Sequence, residues 1–119
     1  MRELSLFLVE DEALIRMMTA QMLDELGHRV IAEAGSVREA LSLAETADFD
    51  LALLDVNLAG ESVAPVAITI ERRGLPCLFI TGYEPAALPE PFSGRSVLRK
   101  PFPIALLKKA IKNRLNGST

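Results

Sequence analysis

Five short apolar runs recur along the chain: "LSLFLV" at 4–9, "RVIAEA" at 29–34, "LALL" at 51–54, "CLFI" at 77–80 and "SVL" at 96–98. Most lack the polar alternation of a strand with one face in water, and none is long enough to be a helix by itself. Strands buried on both faces read this way. Between the runs, apolar residues return at helical spacing. The stripes are Ile15, Met18, Met22 and Leu26; Val37, Ala40, Leu41 and Ala44; Val63, Val66, Ala67 and Ile70; and Ile104, Leu107, Ile111 and Leu115. Buried strands alternating with amphipathic helices predict a parallel sheet covered by helices on both faces, a doubly wound α/β fold.

Local signals agree with this pattern. Ser36 and Glu39 have the spacing of a capping box at the start of the second helix, and Gly27 and Gly74 sit where the first and third should stop. The segment "TGYEPAALPEPFSGR" (81–95) breaks the rhythm, with three prolines and two glycines where a fourth helix belongs. Pro89 and Pro91 would remove helical hydrogen bonds and clash with the preceding turn, so a shortened or irregular fourth helix is expected, with few apolar residues to hold it. The chain has 119 residues, 50% of them hydrophobic, and no linker or low-complexity tract, so one domain over 1–119 is expected.

In a doubly wound sheet the carboxyl ends of the strands open onto a crevice where ligands bind. Glu10 and Asp11 follow the first run, Asp55 ends the third, Thr81 ends the fourth and Lys100 follows the fifth. Three carboxylates at one edge repel one another unless a cation joins them. Magnesium suits that position, because it takes hard oxygen ligands and commonly bridges carboxylates to a phosphate. Lys100 adds positive charge, and the Thr81 hydroxyl can donate to a phosphoryl oxygen. The set fits phosphoryl transfer with a carboxylate nucleophile, and Asp55 is the candidate. Singly, each residue has a plainer reading: Asp11 precedes a helix and could cap it, and Lys100 could be solvated. Their convergence at one edge favours the functional reading.

At these residues the chain resembles the receiver domain of bacterial two-component response regulators over essentially its whole length. "LFLVEDE" is similar to the family's acidic-pair strand, "LALLDVNLAG" to its phosphoacceptor strand, "FITG" to its Thr/Ser strand and "VLRKPF" to its Lys-Pro strand. The resemblance implies a flavodoxin-like (βα)5 three-layer sandwich with a five-stranded parallel sheet of order 2-1-3-4-5. It implies that Asp55 accepts a phosphoryl group from a sensor histidine kinase or phosphotransfer protein. Mg²⁺ would be held by Glu10, Asp11, Asp55 and the Asn57 backbone carbonyl, Thr81 and Lys100 would contact the phosphoryl group, and the Lys100–Pro101 peptide would be cis. Phosphorylation would relay phosphate or alter affinity for a downstream protein.

The resemblance has two departures. Many receivers carry an aromatic switch residue three places before the lysine, where this chain has Val97. "FITGYE" partly resembles a mostly stand-alone group marked by Phe-Ala-Thr-Gly-hydrophobic-aromatic: Phe79, Thr81, Gly82 and Tyr83 fit, while Ile80 and Glu84 do not. Tyr83, the chain's only tyrosine, is therefore the switch candidate.

Other function classes fit less well. The formal net charge of −3 argues against nucleic acid as a partner, and the cluster Lys108, Lys109, Lys112 and Arg114 reads as a solvated helix face near a helix C-terminus. A DNA-binding regulator needs a recognition helix that these runs do not supply. An aspartyl-nucleophile phosphatase is suggested by "DVN", but such nucleophiles usually end the first strand, so a multiple-turnover enzyme is not expected. No apolar run approaches the roughly 20 residues of a membrane span, and "MRELSLFLVEDE" turns acidic too early for a signal peptide. No membrane partner and a cytoplasmic location are expected. Cys77 reads as a buried strand residue, and His28 lies at the end of the sheet away from the acids.

Overall fold

The computed structural model describes residues 2–82 and 88–116. The elements in chain order are β1 (Ser5–Val9), α1 (Ala13–Glu25), β2 (Arg29–Ala34), α2 (Val37–Thr46), β3 (Leu51–Asp55), β4 (Asn57–Leu58), β5 (Glu61–Ser62), α3 (Ala64–Arg72), β6 (Cys77–Thr81), β7 (Val97–Arg99) and α4 (Ile104–Leu115). The main sheet is parallel throughout and ordered β2-β1-β3-β6-β7. Counting its strands alone, this is the expected 2-1-3-4-5. The two additional strands, β4 and β5, form a small antiparallel hairpin directly after β3.

Side chains alternate across the sheet and divide the core in two. Leu6 and Leu8 of β1, Leu51 and Leu53 of β3, and Leu78 and Ile80 of β6 pack with Leu23 of α1 and Leu107 and Ile111 of α4. Phe7, Val9, Ala52, Leu54, Cys77 and Phe79 pack on the opposite face with Ala40 and Ala44 of α2 and Val66, Ala67 and Ile70 of α3. Burial on both faces explains why the central strands β1, β3 and β6 are almost continuously apolar, while the edge strand β2 carries exposed Arg29 and Glu33.

Ser36 caps α2 as expected, its Oγ accepting from the Glu39 amide at 3.2 Å, while Glu39 Oε1 reaches one residue past the cap and accepts from the Gly35 amide at 3.0 Å. Gly27 and Gly74 have φ of 90° and 79°, the left-handed conformation that ends a helix and that glycine adopts without steric cost.

The stripe of α1 is rotated from its expected position. Thr19 and Leu23 are its buried residues, Met18 is 50% exposed, and Ile15, Met22 and Leu26 lie at the margin. A stripe drawn through apolar residues alone misses Thr19 and shifts the face by about one position. Leu115 is likewise at the surface rather than in the core.

Residues 88–96 contain turns and no helix, with the Phe92 amide donating to the Pro89 carbonyl and the Arg95 amide to the Phe92 carbonyl. The expectation of little packing is not met, because Leu88 and Phe92 are buried and the Phe92 ring lies 5.1 Å from Phe79. The Arg95 guanidinium sits over both rings and donates to both carboxylate oxygens of Glu71 on α3 at 2.7 Å. Arg114 also departs from expectation. Its Nε donates to the Cys77 carbonyl at 2.8 Å and its guanidinium approaches Glu71, so it ties α4 to the sheet instead of facing solvent.

Candidate functional site

Strand alternation delivers the acidic edge. Glu10 continues the parity of Leu6 and Leu8, Asp55 that of Leu51 and Leu53, and Lys100 that of Leu98, which also packs on the α1/α4 side. At or just past the last ladder positions these side chains meet at one end of the sheet. Asp55 and Glu10 are buried, and Lys100 Nζ donates to Glu10 Oε1 at 2.8 Å and to Asp55 Oδ2 at 3.2 Å. Carboxylate oxygens of Glu10, Asp11 and Asp55 lie within 4.8 Å of one another. A core strand can end in a carboxylate here because Asp55 is the last, inward-facing position of β3, where the sheet opens onto charged partners.

The hairpin after β3 completes the edge. Its turn residues Ala59 and Gly60 have φ of 52° and 88°, the double left-handed turn that joins two antiparallel strands tightly. This turn aims the Ala59 amide at Asp11 Oδ2, 3.0 Å away. Asp11 is therefore not a helix cap. The N-cap of α1 is Glu12, which makes no side-chain capping bond, while its amide donates to Glu10 Oε2. The Asn57 side chain accepts from the Gly60 amide at 2.8 Å, and the Asn57 amide donates to Asp55 Oδ1 at 3.4 Å. Thr81 is buried at the end of β6, and its carbonyl accepts from the Lys100 amide at 2.7 Å. The Lys100–Pro101 peptide is cis. Tyr83 lies outside the described residues.

Burial and the neighbouring Glu10 carboxylate push Asp55 up to about 6, against the pull of Lys100. Burial acts to lower Lys100, but its bonds and charge pairs with Glu10 and Asp55 outweigh this and hold it above its ordinary value, fully cationic. Burial acts upward on Asp11, yet hydrogen bonding with Glu10 and the Ala59 amide brings it below its ordinary value. One ammonium thus faces three carboxylates. The uncancelled negative charge and the all-oxygen donor set fit a hard divalent cation such as Mg²⁺.

A cleft of about 560 Å³ opens over Asp55, with Asp11, Asn57 and Lys100 on its polar side and Ile15, Met18 and Phe102 on its apolar side. Met18 of the cleft lining is exposed, as are Leu14 and Met17 elsewhere on α1. His28 takes no part. It is buried at the start of β2, where its Nδ1 accepts from the Leu4 amide. Cys77 is buried inside the sheet, its thiol pushed up to about 12 mainly by burial. Two contributors were not legible as site residues. Ala59 acts through its backbone amide, and Arg16 donates from α1 to the Glu10 carbonyl at 2.6 Å. Gly60 hinted at the first, and nothing in the sequence marked the second.

The sequence matches the family described as the response regulator receiver domain over residues 6–112. The chain belongs to the response regulator receiver family. The transcriptional regulatory protein PdtaR of Mycobacterium tuberculosis is 37% identical over 109 residues, which cover 88% of this chain and 53% of that protein. The receiver thus spans about half the length of the curated relative it matches there. The solution structure of SdrG from Sphingomonas melonis Fr1 is 36% identical with a TM-score of 0.84, covering 95% of this chain and 97% of that one. The response regulator PhyR from Brucella abortus is 32% identical with a TM-score of 0.81, covering 98% of this chain and 49% of that one. Receiver domains are signalling modules of two-component systems rather than classical enzymes. Among the described residues no helix is long and apolar enough to cross a membrane.

Proposed function

We propose that this receiver, a single domain over 1–119, accepts a phosphoryl group on Asp55 from the phosphohistidine of a sensor histidine kinase or phosphotransfer protein. The observation that carries the reading is the buried Asp55 carboxylate at the mouth of an open cleft, with Lys100 3.2 Å away and two further carboxylates beside it. One Asp55 oxygen attacks phosphorus as the bond from phosphorus to the imidazole nitrogen breaks, and the nitrogen leaves with the bonding electrons. An acyl phosphate results. Lys100 neutralises charge on the transferred oxygens, and the Thr81 hydroxyl donates to one of them.

Glu10, Asp11 and Asp55, with the Asn57 backbone carbonyl, are the residues that would hold Mg²⁺, which when bound supplies charge neutralisation for the phosphoryl oxygens. Exposed Met18 in the cleft lining, with exposed Leu14 one turn before it on α1, suits a protein donor that must approach Asp55 through this cleft. The output is phosphate relay or a changed affinity for a downstream protein, in the cytoplasm, without nucleic acid or membrane as a partner. Tyr83 is the proposed switch residue.

Beryllium fluoride, a phosphoryl mimic, tests the assignment together with Mg²⁺. When beryllium fluoride is added to protein already saturated with Mg²⁺, amide resonances of position 55, Thr81 and Lys100 are expected to shift in the native protein and stay unmoved in Asp55→Asn. Equal shifts in that variant, or none in the native protein, would contradict the reading.

A further inference from the structure

We infer that Arg16 is a positioning residue for the acidic edge, one that sets its affinity for Mg²⁺ by fixing the peptide between Glu10 and Asp11. The inference rests on the proposed metal site and adds a residue to it. The Glu10 amide is still part of the sheet, donating to the Ala34 carbonyl at 3.0 Å. The Glu10 carbonyl instead accepts from Arg16 Nη1, at 2.6 Å. Holding that oxygen fixes the plane of the Glu10–Asp11 peptide, and so the direction from which both carboxylates start.

The guanidinium is itself held. Its Nε lies 3.2 Å from Glu33 Oε1 on β2, and the Arg16 side chain is only 25% exposed. A β-carbon added to Gly35 would come within 2.9 Å of Arg16 Nη1, so glycine there leaves the space that the guanidinium occupies. One side chain from α1 therefore links the end of β1 to the end of β2. Such a link requires two N–H groups pointing in different directions from a rigid plane, which arginine has and lysine lacks.

Coulomb's law alone makes the opposite prediction. Arg16 is a cation near a cation site, so deleting it should strengthen Mg²⁺ binding if charge were its only effect. Positioning predicts weakening. Gly35→Ala separates the two, because it keeps the charge while displacing the guanidinium, and Gly35 does not have the positive φ that would strain alanine.

The test is the Mg²⁺ dissociation constant, read from amide shifts in a magnesium titration, alongside melting of the metal-free protein. Arg16→Ala is expected to weaken Mg²⁺ about 10-fold, the usual scale for residues that orient metal ligands. Gly35→Ala should weaken it in the same direction, and Arg16→Lys should fall between native and alanine. An unchanged or tighter constant in Arg16→Ala and Gly35→Ala, even with a lowered melting temperature, would overturn the inference and leave the metal site intact. Native protein that binds no Mg²⁺ would overturn the metal site and this inference with it.

Discussion

Asp55 is held in the fold at a thermodynamic cost whose sign with pH is fixed. Its folded value of about 6 lies above its ordinary value of 3.8, so the folded state favours the protonated form. The stabilisation from that proton is complete below the ordinary value and is lost as pH rises through 6. At neutral pH, without metal, Asp55 is ionised against burial and the Glu10 charge. Asp55→Asn is therefore expected to stabilise the metal-free protein by about 1–3 kcal/mol at pH 7, the upper end being the free-energy equivalent of the rise in its pKa. The gain should shrink as pH falls through 6 and be gone below 3.8. Urea unfolding at pH 7 and pH 4 in chelator measures it, and an Asn variant less stable than native at pH 7 would contradict the electrostatic account. The residues whose side chains form the acidic edge were legible from type and position at strand ends. Ala59 and Arg16 were not, because one contributes a backbone amide and the other acts through a carbonyl, and neither has a side-chain signature.

Among the elements, the segment after β6 departs most from a regular βα unit. Its described part forms turns and no helix, where the sequence predicts a shortened or irregular one, and it is anchored by Phe92 against Phe79 and by the two-oxygen contact of Arg95 with Glu71. Glu71 joins α3, this segment and, through Arg114, α4. Both partners of the Arg95 pair are largely shielded from water, so the pair is worth more than a surface ion pair. Glu71→Gln is expected to cost about 1–2 kcal/mol of stability and to raise amide exchange across 88–95 before it does so in α3. Exchange that rises uniformly over the chain would mean the clamp has no local role. Proline content marked the segment as irregular, but not what anchors its described part, since an arginine at the end of a loop gives no sign of its partner 24 residues earlier. The rotated face of α1 was lost for a related reason: burial of Thr19 is decided by packing on the sheet, not by hydropathy.

At the scale of the whole molecule, alternation along the strands has two effects. It sends successive side chains to two cores, and at the carboxyl end of the sheet it carries Glu10, Asp55 and Lys100 to one side. The strand order followed only from the family resemblance, whereas the parallel sheet and both helical layers were readable from the apolar runs because burial on two faces leaves a strong imprint. The small β4–β5 hairpin was not, as its strands are two residues each and its turn uses an alanine in the left-handed region. That hairpin supplies the amide that holds Asp11, so site and fold are specified together. On the reading proposed above, this edge makes Asp55 a Mg²⁺-dependent phosphoacceptor. Intact-mass spectrometry after incubation with a small-molecule phosphodonor measures this. Native protein with Mg²⁺ should gain a single phosphoryl group, while native protein in chelator and Asp55→Asn with Mg²⁺ should gain none. A full phosphoryl increment on the Asn variant, or an equal one in chelator, would contradict it.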